Sequence, residues 1–233
     1  MTDVLPQLAL AVLAAVVAIT WHEAAHGCAA LWLGDDTALR LGRVSLNPLR
    51  HVDRVGTILL PGALLLVQWA LIGRIVVLFG WAKPVPVQAW RFPNPRRGMA
   101  LVAAAGPASN FLLAWTAGLL LHALPLLPDG LAEGAGLLLY FLILANLALG
   151  LFNLLPIPPM DGGRIVVGLL PPHAARAWTR LERAGILAVL LGVFVLPRLL
   201  AEVGIAFDPV GRALDQGIPW MVGWVLRLSF NAA

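Results

Sequence analysis

The chain has 233 residues, of which 60% are hydrophobic and only 12% charged, with a formal net charge of +4. A soluble domain carries about 25% charged residues, so too little polar surface is left to face water on all sides, and an integral membrane protein is expected. The small charge, spread over loops, argues against a nucleic-acid partner, and the single Cys28 excludes an internal disulfide or a cysteine-built zinc site.

Apolar runs fall at about 5–33, 56–79, 98–122, 134–155, 184–200 and 218–230, several close to the roughly 20 residues a membrane span needs. The pattern predicts an all-α polytopic helical bundle of five to six transmembrane segments, with a small β region at the interface. The first run lacks the basic start and small-residue cleavage site of a signal peptide, so it is expected to be retained. It contains Thr20-Trp21-His22-Glu23-Ala24-Ala25-His26. On a helix, His-Glu-x-x-His sets two imidazoles one turn apart on one face, where they can share zinc, with the glutamate close enough to act on a bound water. A bare copy of this motif also occurs in proteins without metal. Three ionisable groups inside a membrane span, however, need a compensating interaction, and zinc supplies one.

The stretch Gly34–Pro48 alternates polar and apolar residues between turn signals, which predicts a short interfacial hairpin. The run 56–79 lies between two basic loops, one with Arg40, Arg43, Arg50 and Arg54, the other with Lys83, Arg91, Arg96 and Arg97. Both loops favour the cytoplasmic side. The run is therefore expected to re-enter rather than cross, with a full crossing as the alternative; it also holds Pro61, Gln68 and Arg74. In Gly80–Gln88, Pro84 and Pro86 would face the same side of an extended strand, which predicts an edge.

The run 98–122 carries Gly106-Pro107-Ala108-Ser109-Asn110, and the run 134–155 leads into Asn153-Leu154-Leu155-Pro156-Ile157-Pro158-Pro159-Met160-Asp161-Gly162-Gly163-Arg164. A hydrolytic zinc site needs three protein ligands and an open position. His51 lies in a basic loop, His122 at the outer end of a span and His173 between Pro-rich turns. Asp161 is the best third candidate, because an aspartate at the end of an apolar run is costly without a partner. The plainer readings are a helix cap or turn for Asp161 and interhelical hydrogen bonds for Asn110 and Asn153.

With these motifs in this order, the chain resembles the site-2 protease family of intramembrane zinc metalloproteases, in a compact prokaryotic form without a PDZ or CBS domain. The resemblance implies zinc (Zn2+) held by His22, His26 and Asp161, with Glu23 as the catalytic base. It implies that Asn153 and Asn110 hold the substrate backbone or the oxyanion. The expected substrate is a single-pass membrane protein, unwound and captured by β-addition along Lys83, Val85 and Val87. One membrane-embedded domain is expected over 1–233, with a catalytic core at about 5–165 and accessory helices at about 184–230. The expected location is a prokaryotic inner membrane, with the site toward the cytoplasm. The alternative is a membrane metal-binding or transport protein using the same His/His/Asp site. The oligomeric state is left open.

Overall fold

The structure, a computed structural model, describes residues 4–73, 80–181, 185 and 189–231. Arg74 and the end of the 56–79 run lie outside the described residues, as do 184 and 186–188 of the 184–200 run. The apolar, Ala- and Leu-rich runs form long helices: α1 (Val4–Trp32), α3 (Leu60–Ile72), α4 (Pro95–Leu120) and α5 (Asp129–Asn153), with a four-residue α2 (Thr37–Arg40) after α1. A π-helical turn, Arg54–Leu59, leads into α3. The shorter α6 (Asp161–Leu169), α7 (Pro172–Leu181), α8 (Leu196–Glu202) and α9 (Pro209–Leu228) follow.

Among the described residues four stretches are long and apolar enough to cross a bilayer: Leu5–Trp32, Arg54–Leu71, Pro95–Leu126 and Asp129–Asn153. The expected five to six are not reached among the described residues. The run 218–230 lies largely within α9, which brings Arg212, Asp215 and Arg227 into its 20 residues. Of the run 184–200, the described part is divided between a π-helical turn at Leu190–Val195 and the seven-residue α8.

α4 is the scaffold. The Asn94 side chain accepts the Arg97 N–H at 3.2 Å and Pro95 takes the first helical position, so the helix starts cleanly. α1, α5 and α6 all pack on it. Ala114 and Ala117 of α4, Leu139, Ile143 and Leu147 of α5, and Val225 of α9 make one apolar cluster. The end of α9 is pinned beside the end of α4: His122 Nε2 donates to the Ser229 carbonyl at 2.7 Å, and Asn231 to the Gly118 carbonyl at 2.7 Å. At the opposite end of α4, Arg96 donates to the Leu170 carbonyl at 2.9 Å and so fixes the end of α6.

The predicted hairpin and edge strand are not found, and no strand occurs among the described residues. Side-chain bonds to the local backbone win over strand pairing. Asp35 accepts the Thr37 N–H at 3.1 Å and its hydroxyl at 2.5 Å, starting α2, and Asn47 accepts the Leu49 N–H at 3.0 Å, starting a 3-10 turn at Pro48–His51. Gly80–Gln88 pairs with loops and side chains instead of a strand. Its Trp81 N–H donates to the Gly56 carbonyl at 3.1 Å, and the Trp81 carbonyl accepts the Thr57 hydroxyl at 2.8 Å. Trp81 is thus joined to the start of the Arg54–Leu59 turn.

Candidate metal centre

Four positions separate His22 from His26, so both rings leave one face of α1. Their centroids lie 4.6 Å apart with the planes perpendicular. The third side chain arrives from the α5–α6 connection. Pro156, Pro158 and Pro159 prevent α5 from continuing, and Asp161 opens α6. The turn closes tightly enough that a Cβ on Gly162 would lie 2.2 Å from the Leu154 carbonyl oxygen. Asp161 Oδ2 then sits 3.0 Å from His22 Nε2 and 3.3 Å from His26 Nε2. One ligand atom from each of the three lies within 4.8 Å of the others.

The backs of the rings determine what faces the centre. His26 Nδ1 is 2.7 Å from the Val102 carbonyl oxygen, which only accepts, so Nδ1 carries the hydrogen. His22 Nδ1 is 2.6 Å from Asn110 Oδ1 and donates in the same way. Each neutral ring therefore presents its Nε2 lone pair inward. Asp161 Oδ2 is buried without a hydrogen-bond partner. Three acceptors thus converge with no donor among them. Protons would satisfy them only by charging both imidazoles against one carboxylate inside an apolar segment, which is costly. A divalent cation satisfies all three at once, and two imidazoles with one carboxylate suit zinc. Gly106 of α4 completes the cradle: a Cβ there would come within 2.6 Å of His22 Cε1, His26 Cε1 and His26 Nε2.

Glu23, next to His22, is half-buried, and its Oε2 accepts the Val85 N–H at 3.2 Å. The Gly80–Gln88 segment is held across this point. Lys83 N–H donates to the His51 carbonyl at 2.8 Å, the Arg43 guanidinium donates to the Lys83 carbonyl, and Gln88 N–H donates to Asp35 Oδ2 at 2.6 Å. Asp35 is fully buried. Burial pushes its carboxyl up, but the hydrogen bonds from Gln88 and Thr37 and the charge of Arg91 outweigh this and hold it below the usual carboxylate range.

Of the residues singled out in the sequence, His22, Glu23, His26 and Asp161 come together. Asn110 stands behind His22, fully enclosed, with its amide nitrogen on the Ala18 carbonyl at 3.2 Å and Asn146 Oδ1 at 2.8 Å. Asn153 donates to the Leu149 carbonyl of its own helix at 3.0 Å, and no hydrogen bond joins it to the three converging side chains. For Lys83 and Val85 the backbone N–H groups are already used within the chain, and the Val87 side chain packs against Ala30, Phe92 and Val102. His51 donates to the Ser45 carbonyl at 2.8 Å, a structural bond like that of His122. Sequence reasoning missed Gly106 as the cradle, Asn146, Arg43 and Asp35. A glycine-proline pair inside an apolar helix was the available signal for the first, and an amide within a span was the signal for Asn146.

The profile of peptidase family M50 matches residues 128–197. YwhC of Bacillus subtilis is 40% identical over 190 residues, which cover 80% of this chain and 80% of YwhC. Rip2 of Mycobacterium tuberculosis is 34% identical over 185 residues, 79% of this chain and 66% of Rip2. Rip3 of the same organism is 36% identical over 163 residues, 67% of this chain but 35% of Rip3. All three carry the name zinc metalloprotease. No solved structure matches the chain.

Proposed function

The chain belongs to peptidase family M50, the site-2 proteases, as a zinc metallopeptidase of the membrane, and on that premise we propose that it hydrolyses peptide bonds of membrane-embedded, single-pass protein substrates. The observation that carries this reading is the convergence of His22 Nε2, His26 Nε2 and Asp161 Oδ2 beside Glu23 on a helix apolar enough to span a bilayer.

In the proposal His22, His26 and Asp161 hold the ion. Zinc there supplies a Lewis acid that polarises a carbonyl and acidifies water. Glu23 Oε2 is held by the Val85 N–H, which leaves Oε1 to take the proton of the attacking water and pass it to the leaving amine. The substrate must be unwound first, because a helical carbonyl is already hydrogen-bonded. It then lies along the Lys83–Val87 segment, where the N–H groups of Lys83 and Val85 are in use and the next backbone donor after Val85 is that of Val87. Asn153 is the candidate donor to the substrate backbone or oxyanion, and in that role it exchanges its Leu149 carbonyl for substrate.

We place the domain in a prokaryotic inner membrane as a single unit spanning 1–233, with the site on the cytoplasmic side. The basic loops on either side of Arg54–Trp81 meet at one end of the bundle, which supports a re-entrant element and this orientation. Glu23→Gln tests the role of the base. Metal analysis should find zinc retained, while cleavage of a transmembrane reporter in proteoliposomes falls by about 10²–10⁴-fold. Wild-type turnover by this variant refutes the role, and metal flux without cleavage would favour transport.

A further inference from the structure

We propose that Asn146, acting through Asn110, fixes the hydrogen on His22 Nδ1 and thereby holds Nε2 open for the metal, which makes Asn146 a positioning residue of the centre. The inference rests on His22 being a zinc ligand.

A chain of hydrogen bonds runs through three helices, and its direction is forced at both ends. On α5, Asn146 Nδ2 donates to the Leu142 carbonyl at 2.8 Å. A carbonyl only accepts, so Asn146 Oδ1 must be the atom turned toward α4. There it receives Asn110 Nδ2 at 2.8 Å, and the same nitrogen gives its other hydrogen to the Ala18 carbonyl of α1 at 3.2 Å. Asn110 Oδ1 is thereby left facing His22 Nδ1 at 2.6 Å, where it can only accept. Turning either amide over would set NH2 against NH2 or oxygen against oxygen. Both asparagines have 0% exposure, so no water relieves that conflict. The sum of these bonds is a single tautomer of His22.

Removing Asn146 leaves the 3.2 Å bond to the Ala18 carbonyl as the one donated bond that still opposes a turn of the Asn110 amide, and it abolishes the oxygen–oxygen conflict with Asn146 that a turn would otherwise create. The Asn110 NH2 can then face His22 Nδ1, which favours hydrogen on Nε2 and covers the lone pair the metal needs. Simple interhelical adhesion, the ordinary role of an amide in a membrane bundle, predicts a loss of stability with no change of tautomer.

The test uses the full chain in detergent. Zinc affinity is measured by chelator competition, and the ring nitrogens of His22 by 15N NMR of the zinc-free protein, assigned through His22→Ala. Asn146→Leu should bind zinc about 10-fold more weakly and move the His22 signals toward the Nε2–H form. Asn146→Asp, protonated in this buried site, keeps an acceptor facing Asn110 and a donor facing Leu142, so it should remain near wild type. Leu139→Ala, in the apolar cluster of the same helix, should lower stability and leave affinity unchanged. The inference is overturned if Asn146→Leu keeps both affinity and the Nδ1–H signal, if Asn146→Asp loses as much as Asn146→Leu, or if Leu139→Ala weakens zinc equally at equal loss of stability. Zinc retained at full affinity by His22→Ala would instead overturn the underlying metal assignment.

Discussion

Two helical stretches of this chain both read as membrane spans and differ in their place in the fold. Arg54–Leu71 and Asp129–Asn153 are both apolar enough to cross a bilayer, yet of the apolar 18 residues in each only 6% are buried inside the protein in the first against 28% in the second. The difference lies in what each helix offers at its surface. α5 has Gly150, where a Cβ would lie 3.0 Å from the Phe111 ring, and Asn146, which bonds across to α4. Small and amide residues let backbones approach and give the contact a direction. α3 offers Leu66, Val67, Trp69 and Leu71, all largely exposed in the protein, and its amide, Gln68, donates to the Leu64 carbonyl of its own helix at 2.9 Å. Hydrophobicity alone therefore marks what can enter a membrane, while the few residues that are not hydrophobic mark what joins the bundle.

A matched pair of glycine substitutions gives the largest expected contrast. Gly106→Ala puts a methyl group 2.6 Å from atoms of both imidazoles, whereas Gly62→Ala in α3 meets nothing within 4 Å. Gly106→Ala should lose zinc and lower cleavage by at least about 10²-fold, at the upper end of what displaced metal-site supports cost. Gly62→Ala should leave zinc content and cleavage unchanged. Equal zinc content in the two proteins would break the comparison.

Leucine truncation gives the next contrast, read as thermal stability in one detergent. Leu147 of α5 has 0% exposure and belongs to the apolar cluster, while Leu66 of α3 has 74%. Leu147→Ala should cost about 2–5 kcal/mol, and Leu66→Ala should stay within about 0.5 kcal/mol. A large loss at Leu66 would show that α3 is packed against protein after all.

The same distinction explains what the sequence made legible. His22, Glu23 and His26 could be read because a helix of known pitch turns their spacing into geometry. Asp161 could be read because an ionisable group at the end of a span demands a partner. The fold class followed from the apolar runs. The hairpin at Gly34–Pro48 was misread because alternation of polar and apolar residues does not reveal that Asp35 and Asn47 will capture local N–H groups. The edge strand was misread because two prolines predict which donors are missing, not that Glu23, His51 and Asp35 supply acceptors for the N–H groups of Val85, Lys83 and Gln88. Gly106 and Asn146 act through close approach between helices distant in sequence, which periodicity does not encode.

The join between the two regions carries the smallest predicted effect and a pH signature. The Gly80–Gln88 segment is bonded at Trp81 to the base of the Arg54–Ile72 element and at Gln88 to Asp35, just beyond the end of α1. Asp35→Asn replaces one accepting oxygen with an NH2 facing the N–H of Gln88 or Thr37, and removes the charge that faces Arg91 at 3.7 Å. A buried group left unsatisfied in this way costs about 1–3 kcal/mol, so the variant should melt earlier at pH 7. The folded protein holds the Asp35 carboxyl below its usual range. Its contribution is therefore complete above the ordinary aspartate pKa of about 3.9 and is lost as pH falls through the lower folded value. The gap between wild type and variant should be constant from pH 7 down to about pH 5 and should shrink below about pH 4. A gap that widens on acidification would mean that Asp35 is protonated in the fold, and the segment would then be held over Glu23 by Arg43 and His51 without it.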